Sequence, residues 1–380
     1  MVDAAGAPLD EVLLHLMRAP HSFTREDVAE INAHGSSVGL RAIVARCLAG
    51  GARLARPGEF TLRAFLNGRL DLVQAEAVLD TVQAHTEAGL RAAQAAAGGA
   101  LSQEIDALRE QLTQALARIE AAVDFPEDDL PELVDEAVLQ SLDAVVARCA
   151  ALLQTARTGR LLREGASVAL IGRPNVGKSS LFNALLRHER AIVTPEAGTT
   201  RDRLEEHASI GGLPVRLIDT AGLRESGDTV ERIGVARARE ALRDAAVAVL
   251  VVAADAGGHP EDHTVAQAIA EAGCPVVLVV NKCDLAPGAP LPDLPLSPEA
   301  ALRCAATTGA GIAELESALA EVLADAPSDA GAALLTRQHQ EDSVRRAQEH
   351  VQAARAAAGA SPEFLALDVR AALDALGEVT

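Results

Sequence analysis

No run of about 18 apolar residues occurs anywhere in the chain, so a spanning helix is excluded. The opening, MVDAAGAPLDEVLL, has neither the basic region nor the long apolar core of a signal peptide. Basic residues are scarce: 34 Lys and Arg stand against 54 Asp and Glu, for a net charge of −20. A chain that binds nucleic acid by its overall field is basic. A primary DNA-binding role is therefore excluded, and any RNA contact must be local or carried by a partner. The five cysteines (Cys47, Cys149, Cys274, Cys283, Cys304) form no CxxC pair and no cluster with histidine at metal-ligand spacing. Scattered and odd in number, they read as reduced cytoplasmic thiols serving as small buried apolar groups. What the chain has in quantity is apolar residues, 49% of the total, enough for real cores. At 380 residues and ~150 per domain, two or three domains are expected.

The rhythm of the sequence changes twice. Residues 1–67 are mixed: EVLLHLMRAP (11–20) reads as a strand or a short apolar segment, 36–49 carries helical spacing, and Pro57-Gly58 breaks the chain. From Leu70 to Ala122 the reading is almost wholly helical, interrupted at Gly98-Gly99. There Leu101, Ile105, Leu108, Leu112, Leu116 and Ile119 form one apolar stripe, which reads as a core face. DFPEDDLPE (124–132) is a turn, and 133–164 is helical again. At Ala166 the pattern switches to apolar runs at 167–172, 213–222, 246–255 and 275–284, with helical spans between them. Continuous Val/Leu/Ile runs alternating with helices predict a mostly parallel sheet covered on both faces. A last helix at 312–324 precedes a return to helical sequence over 331–380. The expected architecture is an α/β domain (164–327) inserted into a discontinuous all-α domain (68–163 and 328–380), behind a small α+β N-terminal domain (1–67).

The loops after the apolar runs carry the chemistry. Gly172-Arg173-Pro174-Asn175-Val176-Gly177-Lys178-Ser179 fits G-x-x-x-x-G-K-[ST], between a strand and the helix that begins with Ser179 and Ser180. Glycines let backbone N–H groups wrap phosphate oxygens, Lys178 reaches the β- and γ-phosphates, and Ser179 ligates Mg²⁺ at a positive helix N-terminus. Asp219-Thr220-Ala221-Gly222 ends the second run. Its carboxylate suits a water-mediated Mg²⁺ contact, and the Gly222 N–H suits the γ-phosphate. Asn281-Lys282-Cys283-Asp284 ends the fourth run. The Asp284 carboxylate accepts from both N1–H and the exocyclic amine of guanine, a pair that adenine does not offer. After one more strand, Ala305-Ala306-Thr307 occupies the place of a further guanine contact, through backbone rather than the usual side chains. Three such strings in order, each at a strand's C-terminal end, make a GTP site at the face where parallel sheets bind ligands.

Between the phosphate loop and Asp219 lies 192–202, in which Thr200 is placed to complete the Mg²⁺ shell. Leu223 stands where many small GTPases carry a water-positioning Gln, and leucine cannot orient water. Glu225, Asp228 and Glu231 are the candidates for that task; on spacing alone they read first as solvated loop charges.

Together these strings resemble the MnmE (TrmE) family of tRNA-modification GTPases. SFTREDVAEINAHG (22–35), ARPGEFTLRAFLNGRLDLVQAEAVLD (55–80) and DTAGLRESGDTVERIG (219–234) all look like its signatures. The resemblance runs over nearly all the chain and implies a K⁺-activated, Mg²⁺-dependent GTP hydrolase. It would work with an MnmG-type flavoprotein, in a heterotetramer, on carbon 5 of the tRNA wobble uridine, adding an aminomethyl or carboxymethylaminomethyl group. It implies that Asn175, Thr194, Glu196 and Thr199 hold K⁺ and that Glu231 orients the attacking water. It also implies a cytoplasmic homodimer, with Glu30 and Arg69 at a 5-formyl-tetrahydrofolate site. The chain departs from the family pattern at both ends, which reads as truncation. The opening strands with a folate-site Arg are missing ahead of Met1, and the Cys-Ile-Gly-Lys tail is missing after Thr380. Folate binding and tRNA modification are the functions that this reading exposes to loss. An Era- or Der-like ribosome-assembly GTPase is a second expectation, but the last 50 residues carry no GxxG loop or basic face. A non-modifying helical dimerisation scaffold is the third.

Overall fold

The computed structural model describes residues 1–124, 135–188, 205–219, 242–243, 245–254, 259–323, 331–357 and 362–380. Its N-terminal unit is built on two antiparallel strands, β1 (Leu13–Met17) and β2 (Val28–Asn32), with Leu13 opposite Asn32 and Met17 opposite Val28. The connection between them is closed by Asp27, which accepts from Arg18 Nη1 (2.7 Å) and Ala19 N (2.9 Å). Helix α1 (Ser37–Ala49) starts at Ser36, whose hydroxyl accepts from Gly39 N. Pro57-Gly58 is indeed a break, but a short one. Gly58, at φ +74°, turns the chain directly into α2 (Glu59–Leu66), which sequence periodicity did not reveal.

The long helical stretch resolves into α3 (Leu72–Gln83), α4 (Glu87–Ala97) and α5 (Ala100–Asp124), followed by α6 (Glu136–Glu164). Asp71 and Gln74 cap α3 reciprocally. The break at Gly98-Gly99 is where the sequence places it, with Gly99 at φ +85°. A second break at 84–86 carries no glycine or proline; Thr86 makes it by capping α4 through Gly89 N. The predicted stripe is the core: Leu101, Ile105, Leu108, Leu112 and Ile119 are all essentially inaccessible, and Leu116 is partly buried against them. Each such side chain contributes about 1.5–3 kcal/mol by leaving water. The C-terminal helices, α10 (Gln338–Ala356) and α11 (Pro362–Gly377), complete the bundle through Val344, Val351, Leu365, Val369 and Leu376.

Between α6 and α10 the chain makes a six-stranded sheet. In chain order its elements are β3 (Ala166–Ile171), α7 (Lys178–His188), β4 (Glu205–Ile210), β5 (Leu213–Asp219) and β6 (Val247–Ala253). They continue with α8 (Pro260–Ala272), β7 (Val276–Asn281), β8 (Ala300–Arg303) and α9 (Ile312–Leu323). The strand order is β4-β5-β3-β6-β7-β8, parallel throughout except for β4, which runs against β5. Alternate residues of the central strands serve two separate cores. Val168, Leu170, Val249, Val251, Val277 and Val279 face one way; Ala169, Ile171, Leu250, Val252, Leu278 and Val280 face the other. This is why the strands read as unbroken apolar runs. Edge strand β4 escaped the sequence reading because EEHASI is half polar. It joins β5 through Gly211-Gly212, both at positive φ, a two-residue hairpin turn.

The bundle is pinned together at the point where the chain leaves it for the sheet and re-enters it. A Cβ on Gly159 would lie 2.1 Å from Leu335 O, so α6 has no room for a side chain there. Arg337 pairs with Glu76 (2.9 Å) and Asp80 (2.9 Å) of α3, Arg163 donates to Thr336 O (3.1 Å), and Arg160 pairs with Glu341.

Candidate functional site

The C-terminal end of β3 runs into a loop wound by three residues at positive φ: Gly172 (+155°), Asn175 (+63°) and Gly177 (+99°). A Cβ on Gly172 would stand 2.3 Å from Val251 O of β6, and one on Gly177 would stand 2.2 Å from Asn281 Nδ2. Only glycine fits either place. Asparagine is among the few residues that accept the left-handed region at 175. Val176 turns inward and is fully buried, anchoring the loop from below. Backbone wound in this way forms an anion-binding concavity.

Lys178 opens α7 and is 6% exposed. Its Nζ donates to Gly172 O (2.7 Å) and Arg173 O (2.8 Å), so the ammonium lies across its own loop. Ser179 and Ser180 follow in the first turn of α7, both exposed, at the positive end of the helix. A serine hydroxyl is the hard oxygen donor that Mg²⁺ takes, so the residues at this end of the loop fit that ion.

Asn281 ends β7 and is 2% exposed. Its Nδ2 donates to Val176 O (3.0 Å), and its Oδ1 accepts from Ala306 N (3.1 Å). One side chain thus joins the phosphate loop to the segment after β8, a role that its place in the Asn-Lys-Cys-Asp string does not announce. Lys282 follows at φ +61°, Cys283 N donates to Cys304 O (3.1 Å), and Asp284 is exposed at the mouth. Ala305, Ala306 and Thr307 form a turn closed by Gly309 N to Ala305 O (3.0 Å). The predicted phosphate and guanine segments therefore meet at the C-terminal ends of the strands.

Asp219 is the last residue of β5 and pairs in register with Leu170 of β3, beside the start of the loop. Thr194, Glu196, Thr199, Thr200, Thr220, Ala221, Gly222, Leu223, Glu225, Asp228 and Glu231 lie outside the described residues. No cluster of His, Cys, Asp and Glu able to hold a metal ion occurs among the described residues. Burial pushes the Cys304 thiol up to about 12 and the Cys149 thiol to about 11, so both stay protonated and inert at neutral pH. In the N-terminal unit Glu30 lies on β2 opposite His15, exposed. Arg69 donates to Ser22 O (2.9 Å), with its guanidinium 5.5 Å from the Phe23 ring centroid.

A mostly parallel sheet, a glycine-wound loop holding a buried lysine at a helix start, and a guanine-type string stitched to that loop define a P-loop GTPase, and the chain is a GTP-hydrolysing enzyme. The sequence description of the TrmE GTP-binding protein N-terminus matches residues 1–69, and that of the MnmE helical domain matches residues 72–380. The tRNA modification GTPase MnmE of Chloroflexus aurantiacus is 50% identical over 99% of this chain and 83% of its own length. That of Symbiobacterium thermophilum is 47% identical over 100% of this chain and 83% of its own. The chain belongs to the MnmE family of tRNA modification GTPases. Among solved structures it is similar to Era bound to MgGDPNP and a 16S ribosomal RNA fragment. That similarity is 29% in sequence, over 43% of this chain and 58% of that one, with a TM-score of 0.33. Among the described residues no helix is long and apolar enough to cross a membrane.

Proposed function

We propose that the chain hydrolyses GTP with K⁺ activation and Mg²⁺ dependence, and acts with an MnmG-type flavoprotein on carbon 5 of the tRNA wobble uridine. The observation that carries the nucleotide half of this reading is the Asn281 bridge, which makes the phosphate loop and the guanine-side turn a single site. In it the backbone from Asn175 to Ser180 cradles the phosphates, and Lys178 neutralises the β- and γ-oxygens. Asp284 and the Ala305–Thr307 turn read guanine, with Lys282 alongside. Ser179 and Thr200 would hold Mg²⁺, with Asp219 reaching it through water, and Asn175, Thr194, Glu196 and Thr199 would hold K⁺. Bound, Mg²⁺ would neutralise phosphate charge and K⁺ would supply the positive charge that an arginine finger gives elsewhere. Thr220, Ala221 and Gly222 would bind GTP, with the Gly222 N–H suited to the γ-phosphate. Glu231 orients the attacking water, the task that Leu223 cannot perform.

The transfer half of the reading rests on the family. The helical domain (68–163 and 328–380) carries the GTPase domain (164–327), and the N-terminal domain (1–67) offers Glu30 and Arg69 to a formyl-tetrahydrofolate. The working form is a cytoplasmic homodimer in a heterotetramer with the flavoprotein, and it meets tRNA through that complex. The test is GTP turnover in KCl and in NaCl at equal ionic strength, for the wild type and for Glu231→Ala. Hydrolysis is faster in KCl, and Glu231→Ala loses turnover while keeping GTP affinity, the pattern of a group used only in the transition state. Equal rates in the two salts remove the K⁺ role, and normal turnover in the variant removes the role of Glu231.

A further inference from the structure

Arg173 is one of the four unspecified positions of the phosphate-loop pattern, yet its side chain is only 16% exposed. Its Nε stands 3.4 Å from Oδ1 of Asp262, whose side chain is 3% exposed, in the first turn of α8. Both atoms are buried, and neither has a hydrogen-bond partner among the described residues. What they share is the ion pair. A buried carboxylate is costly unless it is paired, and removing one partner leaves the other uncompensated.

The plain alternative is that Asp262 merely caps α8. It does sit three residues into the helix, and its Oδ2 accepts from His259 N at 3.4 Å. Capping accounts for Oδ2 alone. It does not explain an almost fully buried carboxylate with its other oxygen turned to a guanidinium from a different loop. The geometry around Arg173 gives that pair a purpose. One residue earlier, Gly172 is pressed onto Val251 O of β6, the strand that leads toward α8. The carbonyls of Gly172 and Arg173 are the two acceptors of the Lys178 ammonium. The backbone that positions the lysine is thus held at one residue by β6 and at the next by Asp262.

We infer that Arg173 and Asp262 are positioning residues for GTP hydrolysis: their buried ion pair ties the phosphate loop to the N-terminus of α8 and fixes the carbonyls that seat Lys178. The inference builds on the GTP-hydrolysing chemistry and on the assignment of Lys178 to the phosphates. A misplacement of about 1 Å in such a group costs on the order of 10²-fold in rate.

The experiment compares Arg173→Gln, Asp262→Asn, the double variant and Asp262→Glu in the full chain. The readouts are GTP kcat and KM, the binding of a fluorescent GDP, and circular dichroism. Each single variant keeps the wild-type helical spectrum and loses kcat by about 10²-fold, with a smaller rise in KM. The double variant is no worse than the worse single one, because the two changes break one contact. Asp262→Glu, which keeps the charge, retains most of kcat. Wild-type kcat in either single variant overturns the inference. So do losses that multiply in the double variant, and so does a loss of the folded spectrum in both single variants, which would assign the pair to folding. A wild-type chain that binds no GDP would instead defeat the nucleotide-site reading on which the inference stands.

Discussion

Asn281→Ala tests how the two halves of the nucleotide site are held together. The change removes two hydrogen bonds, to Val176 O at 3.0 Å and from Ala306 N at 3.1 Å, at a position that is 2% exposed. Each bond is worth about 1 kcal/mol net, and a buried polar group left without a partner costs about 1–3 kcal/mol. Gly177 compounds the effect. Its backbone is set at φ +99° directly beneath the Asn281 amide, so the loop loses the group against which it is packed. A loss of about 3 kcal/mol from the assembled site corresponds to roughly 10²-fold in affinity. Equilibrium titration with a fluorescent GDP measures it directly, and Asn281→Asp sharpens it. The aspartate keeps an acceptor for Ala306 N but places a carboxylate oxygen against Val176 O, so it should bind no better than the alanine variant. A Kd within threefold of wild type in both variants would refute the view that this side chain joins the two loops.

Two further outcomes concern the scaffold. Gly159→Ala should destabilise the bundle by about 1–3 kcal/mol despite alanine's better helix propensity, because its Cβ would lie 2.1 Å from Leu335 O; an unchanged or raised thermal midpoint would contradict this. Cys304 titrates at about 12 in the folded chain against an ordinary 9.0, raised first by burial and then by Cys283 and Glu314. Its thiol therefore ionises more readily in the unfolded chain, so its stabilising contribution is intact below pH 9 and is lost progressively between pH 9 and 12. Urea midpoints from pH 8 to 10.5 should fall more steeply for wild type than for Cys304→Ala, and parallel curves would contradict the assignment.

Much of the fold is written in local pattern. The stripe from Leu101 to Ile119 and the runs at 167–172, 246–255 and 275–284 read correctly because each is long and buried in the manner its period implies. What escaped is short or compromised by its surroundings. Helix α2 has eight residues behind Pro57-Gly58, β4 is a half-polar edge, and the break at 84–86 is made by the Thr86 cap rather than by glycine or proline. For the candidate site, the strings themselves are legible as sequence patterns, and the tight backbone at Gly172 and Gly177 explains the two glycines of the loop pattern. The patterns did not reveal what joins them. The Asn281 bridge spans 105 residues of chain. Asp262 stands in no motif, and its partner Arg173 fills a position that the pattern leaves free. Contacts between strings far apart in sequence exist only once the sheet order brings β3, β6 and β7 side by side.

The most direct test of the account is nucleotide selection by the full chain, because guanine recognition separates this GTPase site from a phosphate loop of any other use. Hydrolysis of GTP, ATP and xanthosine triphosphate is measured for wild type and for Asp284→Asn. Wild type should turn over GTP and not ATP. Asp284→Asn should weaken GTP and gain xanthosine triphosphate, because the amide reverses the donor and acceptor pattern that meets the base. Equal use of ATP by wild type, or unchanged GTP kinetics in Asp284→Asn, would contradict the account.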